Sequence, residues 1–199
     1  MAFEIYNGSF PHGADMGNTM IDKLAEMWDF DEVDTSSSLH YVKYGNAKLI
    51  NNNSGLLAIV DNDGIGYMGY YSGSSSYTIV KTVNSILLTW LYNNNAAQYS
   101  VIIGNLRNAG KGIVGMTATS MYAIMDEYRT VNVAIPYRQT IAGTQLIDIL
   151  STDGSLVLTN GYEVIAMPYD SSVGYEIKGE YYVGEQKFYI AGRAAIKEE

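Results

Sequence analysis

The sequence predicts a mainly β fold: an antiparallel β-sandwich or barrel with an N-terminal arm and one short helix. Three observations carry that expectation. Aromatic usage is weighted to Tyr, with 18 Tyr against 4 Phe and 2 Trp, and Val, Ile and Thr are frequent; these side chains suit a pleated, half-buried surface. Apolar runs are short, about 4–5 residues, far below the length that spans a membrane as a helix. Breaks rich in Asn, Gly, Asp and Ser recur roughly every 8–12 residues, the rhythm of a sandwich or barrel.

Residues 1–14 read as an extended arm, because Gly8, Pro11 and Gly13 discourage regular structure. Asn18 then offers a helix cap. Met20, Ile21, Leu24, Met27 and Trp28 follow on one helical stripe, with Asp22, Lys23 and Glu26 on the other face. The spacing predicts a helix over 19–28. Such a stripe ordinarily docks on a sheet; its other use is contact with a neighbouring subunit, which makes Met20, Leu24, Met27 and Trp28 candidate interface residues. Residues 29–38 are acidic and end in Ser36-Ser37-Ser38, the best boundary in the chain. The organisation expected is therefore arm, helix and acidic linker over 1–38, and a β-rich domain over 39–199.

Strands are expected next at Leu39–Tyr44, Lys48–Ile50, Leu56–Val60 and Ile65–Tyr71. Residues 76–92 fit a helical period through Val80, Val83, Leu87, Trp90 and Leu91, but their β-branched content favours strands. Tyr99–Leu106, Ile113–Thr119, Tyr122–Asp126, Val131–Ile135 and Gln145–Leu150 continue the series. Asp153-Gly154 and Asn160-Gly161 are hairpin dipeptides, flanking Leu156–Thr159 and leading into Tyr162–Met167. Tyr175–Val183 and Lys187–Ile196 close the chain as a hairpin around Gly184-Glu185-Gln186.

Composition excludes several functions. There are 12 Lys+Arg against 21 Asp+Glu, a formal charge of −9. Direct nucleic-acid binding needs a cationic footprint, and an acidic membrane surface repels such a chain. Cys is absent, which removes disulfides, thiolate metal sites and cysteine nucleophiles. The start of the chain lacks the basic and apolar regions of a secretory signal.

The motifs that resemble chemistry fail on inspection. Gly64-Ile65-Gly66-Tyr67-Met68-Gly69 matches the dinucleotide pattern, but Tyr70-Tyr71-Ser72-Gly73 cannot continue as the required helix. Gly104–Gly112 is one residue too long for a phosphate loop and has Gly112 where Ser or Thr must hold magnesium. Asp61-Asn62-Asp63-Gly64 begins like a calcium loop, but Ile65 and Ser72 stand where ligands are needed. His12 and His40 lack a nucleophile-elbow partner. Carboxylate pairs drawn from Asp126, Glu127, Asp148, Asp153 and Glu163 leave glycan hydrolysis as the one enzymatic option, and most of these residues lie in expected turns. No catalytic residue, metal ligand or cofactor is expected. Tyr70, Tyr71, Tyr77, Tyr181 and Tyr182 are candidates for stacking on sugar rings, since Tyr combines a flat apolar face with a hydroxyl.

The segments Tyr99-Ser100-Val101-Ile102-Ile103-Gly104-Asn105 and Lys187-Phe188-Tyr189-Ile190-Ala191-Gly192-Arg193-Ala194-Ala195-Ile196 carry a likeness of style. With the arm and the absence of Cys, the chain resembles small structural or accessory virion proteins of tailed bacteriophages that infect gut bacteria. The resemblance implies a non-enzymatic capsid decoration, neck, tail or fibre-base component of the virion. It implies homo-oligomers and other virion proteins as partners. The alternative is a carbohydrate-binding or adhesin module with exposed Tyr.

Overall fold

The computed structural model describes residues 3–10, 16–53, 55–60, 64–70, 75–92, 97–106, 110–116, 121–124, 128–129, 147–148, 164–166, 178–183, 185–191 and 194–198. In chain order these form β1 (Glu4–Phe10), α1 (Met16–Met27), β2 (Glu32–Asp34), β3 (Tyr41–Tyr44), β4 (Ala47–Asn51), β5 (Gly55–Val60) and β6 (Gly64–Tyr70). Then come β7 (Ser75–Lys81), β8 (Ser85–Tyr92), β9 (Ala97–Leu106), β10 (Gly110–Met116), β11 (Met121–Ile124) and β12 (Tyr128–Arg129). The last are β13 (Ile147–Asp148), β14 (Val164–Ala166), β15 (Lys178–Val183), β16 (Gln186–Ala191) and β17 (Ala194–Lys197). The described residues are mainly β, antiparallel and sandwich-like, with one helix among them, as expected.

The strands form three antiparallel sheets. The largest has the order β1-β7-β8-β9-β10-β11-β12. A second runs β2-β3-β4-β5-β6 and a third β13-β14-β17-β16-β15. The large sheet is the middle layer. Alternation sends Ile79, Ile86, Leu88, Trp90, Val101, Ile103 and Ile113 to one face, where they share a core with Met16, Met20, Ile21 and Leu24 of α1 and with Val42, Leu49 and Leu56 of the second sheet. The opposite face carries Val80, Leu87 and Ile102, also fully buried. There Thr89 donates its hydroxyl to the Ala191 carbonyl of β16 at 2.8 Å, tying the third sheet to the middle one. Ser100 lies 2.8 Å from Thr89, so its hydroxyl donates in turn to the Thr89 oxygen. Each fully buried Leu, Ile or Phe contributes roughly 1.5–3 kcal/mol by leaving water.

Several expectations change. Residues 4–10 are not a free arm: β1 pairs antiparallel with β7 from Glu4↔Lys81 to Phe10↔Ser75. Gly8 does not break this strand, because the Tyr77 ring of the neighbouring strand fills the space where a Gly8 side chain would be, 2.6 Å from its Cβ position. The helix begins at Met16, ahead of Asn18. Within the linker, Glu32–Asp34 adds a strand opposite Tyr41–Lys43. The core is continuous across residue 38, since α1 and the strands after it bury into one cluster. The final run divides into β16 and β17, paired from Phe188↔Lys197 to Ala191↔Ala194. Residues 76–92 are strands β7 and β8, as the β-branched side chains favour. The expected Val131–Ile135 and Leu156–Thr159 strands lie outside the described residues.

The glycine motifs take strand roles. Gly64, Gly66 and Gly69 stand in β6 against β5, with a bulge where Leu56 pairs Gly69 and Leu57 pairs Tyr67. The whole motif is strand, whereas pyrophosphate binding needs a helix N-terminus within it. Gly104 and Gly112 face each other across the β9–β10 hairpin, which rules out a phosphate loop.

Candidate functional site

A cleft of about 370 Å³ opens where the end of α1, the segment after it, the β3 terminus and the β7–β8 turn meet. Its walls include Trp28, Phe30, Tyr44, Lys81, Val83 and Lys111. The sequence explains its assembly. Trp28 donates its backbone N–H to Leu24 at 3.0 Å, ending the helix with the indole beside the core. Asp31 N–H donates to the Lys43 carbonyl at 3.0 Å, extending the β2–β3 ladder backwards and turning Phe30 toward Tyr44. Tyr44 is 5% exposed and forms the floor. Trp28 and Phe30 meet its ring edge-on, with centroids 6.1 and 6.2 Å away. Thr82 N–H donates to the Ser85 carbonyl at 2.8 Å, closing the tight turn that presents Val83 at the rim.

One ion pair organises the polar side. The Gly45 backbone N–H donates to Asp31 Oδ2 at 2.7 Å, and Lys111 Nζ donates to Asp31 Oδ1. The Lys111 hydrogen bond, then that of Gly45, holds the Asp31 carboxyl below the usual carboxylate range. The same bond raises Lys111, so both groups are charged at neutral pH. Lys111 Nζ also stands 4.7 Å over the Tyr44 ring, a cation–π contact. Lys81 leans toward Glu4 of β1 at 3.8 Å. Gly45 has φ +65°, a left-handed conformation that suits glycine in a two-residue hairpin turn. Trp28 Nε1 is the buried side-chain polar atom that lacks a hydrogen-bond partner among the described residues.

The candidate interface residues separate into two pairs. Met20 and Leu24 are fully buried in the core and cannot meet a partner without unfolding the helix face. Their intersubunit role is corrected: the stripe docks on the chain's own sheets. Met27 and Trp28 are partly buried and line the cleft. Of the candidate stacking tyrosines, Tyr77 and Tyr182 are described, and they lie on different sheets. Tyr77 stacks on Phe10 at 4.2 Å, and Tyr182 is 58% exposed on β15 of a different sheet. Tyr71 and the side chains of Tyr70 and Tyr181 lie outside the described residues.

His40 stands between helix and sheet, its Nδ1 2.6 Å from Asp22. Among the described residues no three His, Cys, Asp or Glu side chains converge on a metal position. His12 and the Asp61–Asp63 stretch lie outside them. No described helix is long and apolar enough to cross a membrane.

A second feature is the β1 edge. Among the described residues β1 is the terminal strand of the large sheet. Ile5 and Tyr6 point to opposite faces and are 39% and 42% exposed.

Sequence reasoning missed Phe30, Asp31, Tyr44, Lys81 and Lys111. A signal for two of them existed: Trp28-Asp29-Phe30-Asp31 alternates aromatic and acidic residues directly after a helix. Lys111 is 80 residues from Asp31, beyond any local pattern. Compared with protein-family models, with curated proteins and with solved structures, the chain matches none.

Proposed function

We propose that this chain is a non-enzymatic structural protein of a tailed-phage virion, acting by assembly with its own copies and with other virion proteins. The observation that carries the assembly reading is the pair of apolar side chains, Ile5 and Tyr6, exposed on the two faces of β1, the terminal strand of the large sheet among the described residues. Isolated domains usually blunt such an edge, because it templates pairing with another chain. The virion setting is supported by the likeness carried in β9 and in β16–β17. The interface thus moves from the helix stripe to the first strand.

A symmetric antiparallel β1–β1 pair satisfies both edges at once, as twofold dimers do. Centred on Asn7, it sets Glu4 opposite Phe10 of the second copy, so the two Glu4 carboxylates stay apart. Sedimentation at micromolar concentration should show an oligomer. The double change Ile5→Lys and Tyr6→Lys should return a folded monomer. The chain has no Cys, so Asn7→Cys alone should yield a disulfide-linked dimer on oxidation, given opposed Cα atoms about 4.5–5.5 Å apart. A monomer at all concentrations, together with absence of the chain from purified particles, would overturn the reading.

A further inference from the structure

We propose that the cleft between Trp28, Phe30 and Tyr44 is a binding site for the ring of a neutral sugar. Glycan contact was expected at scattered tyrosines, and the structure builds a suitable surface elsewhere. The cleft volume, about 370 Å³, lies within the range of small-ligand sites. Trp28 and Phe30 are half-buried, so each keeps ring surface available over the buried Tyr44 floor. Val83, 52% exposed, extends the apolar wall at the rim.

Charge selects the ligand class. Asp29 and Asp31 balance Lys81 and Lys111 around the opening, so net charge favours neither an anion nor a cation. An ammonium ligand also meets competition, because Lys111 already occupies the face of Tyr44. What remains is a ligand with one apolar face and many hydroxyls. A pyranose ring has both: its C–H face lies on an aromatic ring, and its hydroxyls exchange hydrogen bonds with carboxylates and ammonium groups. Asp31 spends one bond on each oxygen, from Gly45 and Lys111, and each oxygen retains acceptor capacity. The Lys111 ammonium retains donors beyond the one given to Asp31. The partnerless Trp28 Nε1 adds a donor that gains from any oxygen brought to it by a small ring movement.

The two tryptophans make the test direct. Trp90 is fully buried in the core, whereas Trp28 lines the cleft. In ¹⁵N-labelled protein their two indole N–H signals are assigned with Trp28→Phe. Glucose, galactose, mannose and N-acetylglucosamine are then each titrated to roughly 50 mM, enough to saturate a site with a Kd of about 1 mM, or about −4 kcal/mol. At least one of them should move the Trp28 signal saturably while Trp90 stays still. Lys81→Ala changes a half-buried rim position and Val83→Glu an exposed one, and each should weaken that response about fivefold or more, roughly 1 kcal/mol, with the Trp90 signal reporting an intact core. Failure of every sugar to move Trp28, or an undiminished response in both rim variants, would overturn the site. The oligomer measurements test the assembly reading separately, because neither rim residue is on β1.

Discussion

Asn18 sits inside the first turn of α1, where its side chain is too late to cap the helix. Its Oδ1 accepts from the His40 backbone N–H at 2.9 Å and from Asn51 Nδ2 at 2.8 Å. Its Nδ2 donates to the Ser38 carbonyl at 3.1 Å. One amide thus pins the helix to the entry of β3 and the end of β4. Asn18→Ala should cost about 2 kcal/mol in urea unfolding, since it strands partly buried partners. Asn18→Ser, which would rescue a helix cap, should recover little of this. Gly104 makes the opposite point by what it lacks. A Cβ there would stand 2.6 Å from Ser85 Cβ and 2.7 Å from the Asn84 carbonyl. Backbone cannot yield as a flexible side-chain tip can, so Gly104→Ala should lower stability by about 2 kcal/mol or more on the same assay. The sequence marked Asn18 as a helix-associated residue. Its partners lie 20 to 33 residues away, and no local pattern reports them.

At the scale of elements, the segment after α1 combines two roles that composition cannot separate. Its acidity reads as a linker, yet Val33 pairs Val42 and Glu32 faces Lys43 in a short strand. At the end of that strand Asp34 closes an Asx turn, accepting from Ser36 N–H at 2.8 Å, the Ser36 hydroxyl at 2.9 Å and Ser37 N–H at 3.1 Å. These bonds, the Ser36 amide first, pull the Asp34 carboxyl down to about 2. A depressed carboxyl stabilises the fold above its unfolded value, near 4, and that contribution disappears as pH falls through its folded value. The Ser36 and Ser37 amide signals should therefore shift with a midpoint near pH 2, and Asp34→Asn should abolish the step. The strands themselves were largely legible, because β-branched runs separated by Asn and Gly leave few alternatives. β1 was not, because Gly8 reads as a breaker until Tyr77 is known to cover it.

For the molecule as a whole, the middle sheet is buried on both faces at β7, β8 and β9. Alternation marks which residues share a face, but it cannot tell whether the second face meets water or another layer. Thr78, Thr89 and Ser100 disguise that second face as polar, although they are 1%, 2% and 0% exposed. The cleft was hidden for a related reason: it draws on four parts of the chain, and only the α1 end carried a visible cue. Because β8 and β9 lie deepest, their amides should be the slowest to exchange with deuterated water. Phe188 is fully buried in the third sheet, so Phe188→Ala should lower stability by about 3–5 kcal/mol. Thr89→Val keeps the shape but removes the donor to Ala191, and should cost about 1–2 kcal/mol. A marked loss of exchange protection in β16 and β17 with β8 unchanged would show that the layers open separately.

The pairing of β1 with β7 also sets an order in time. Glu4 finds its partner only at Lys81. At synthesis rates of about 5–20 residues per second, the first strand waits roughly 4–15 s for its neighbour to be made. During that interval its own partner does not yet exist, whereas a finished strand from another chain can pair with it. The same closure is slow in refolding, since a long loop must form before the contact returns anything. Exchange of the first strand between copies is therefore a kinetic route open to this topology, and it should grow with chain concentration during refolding.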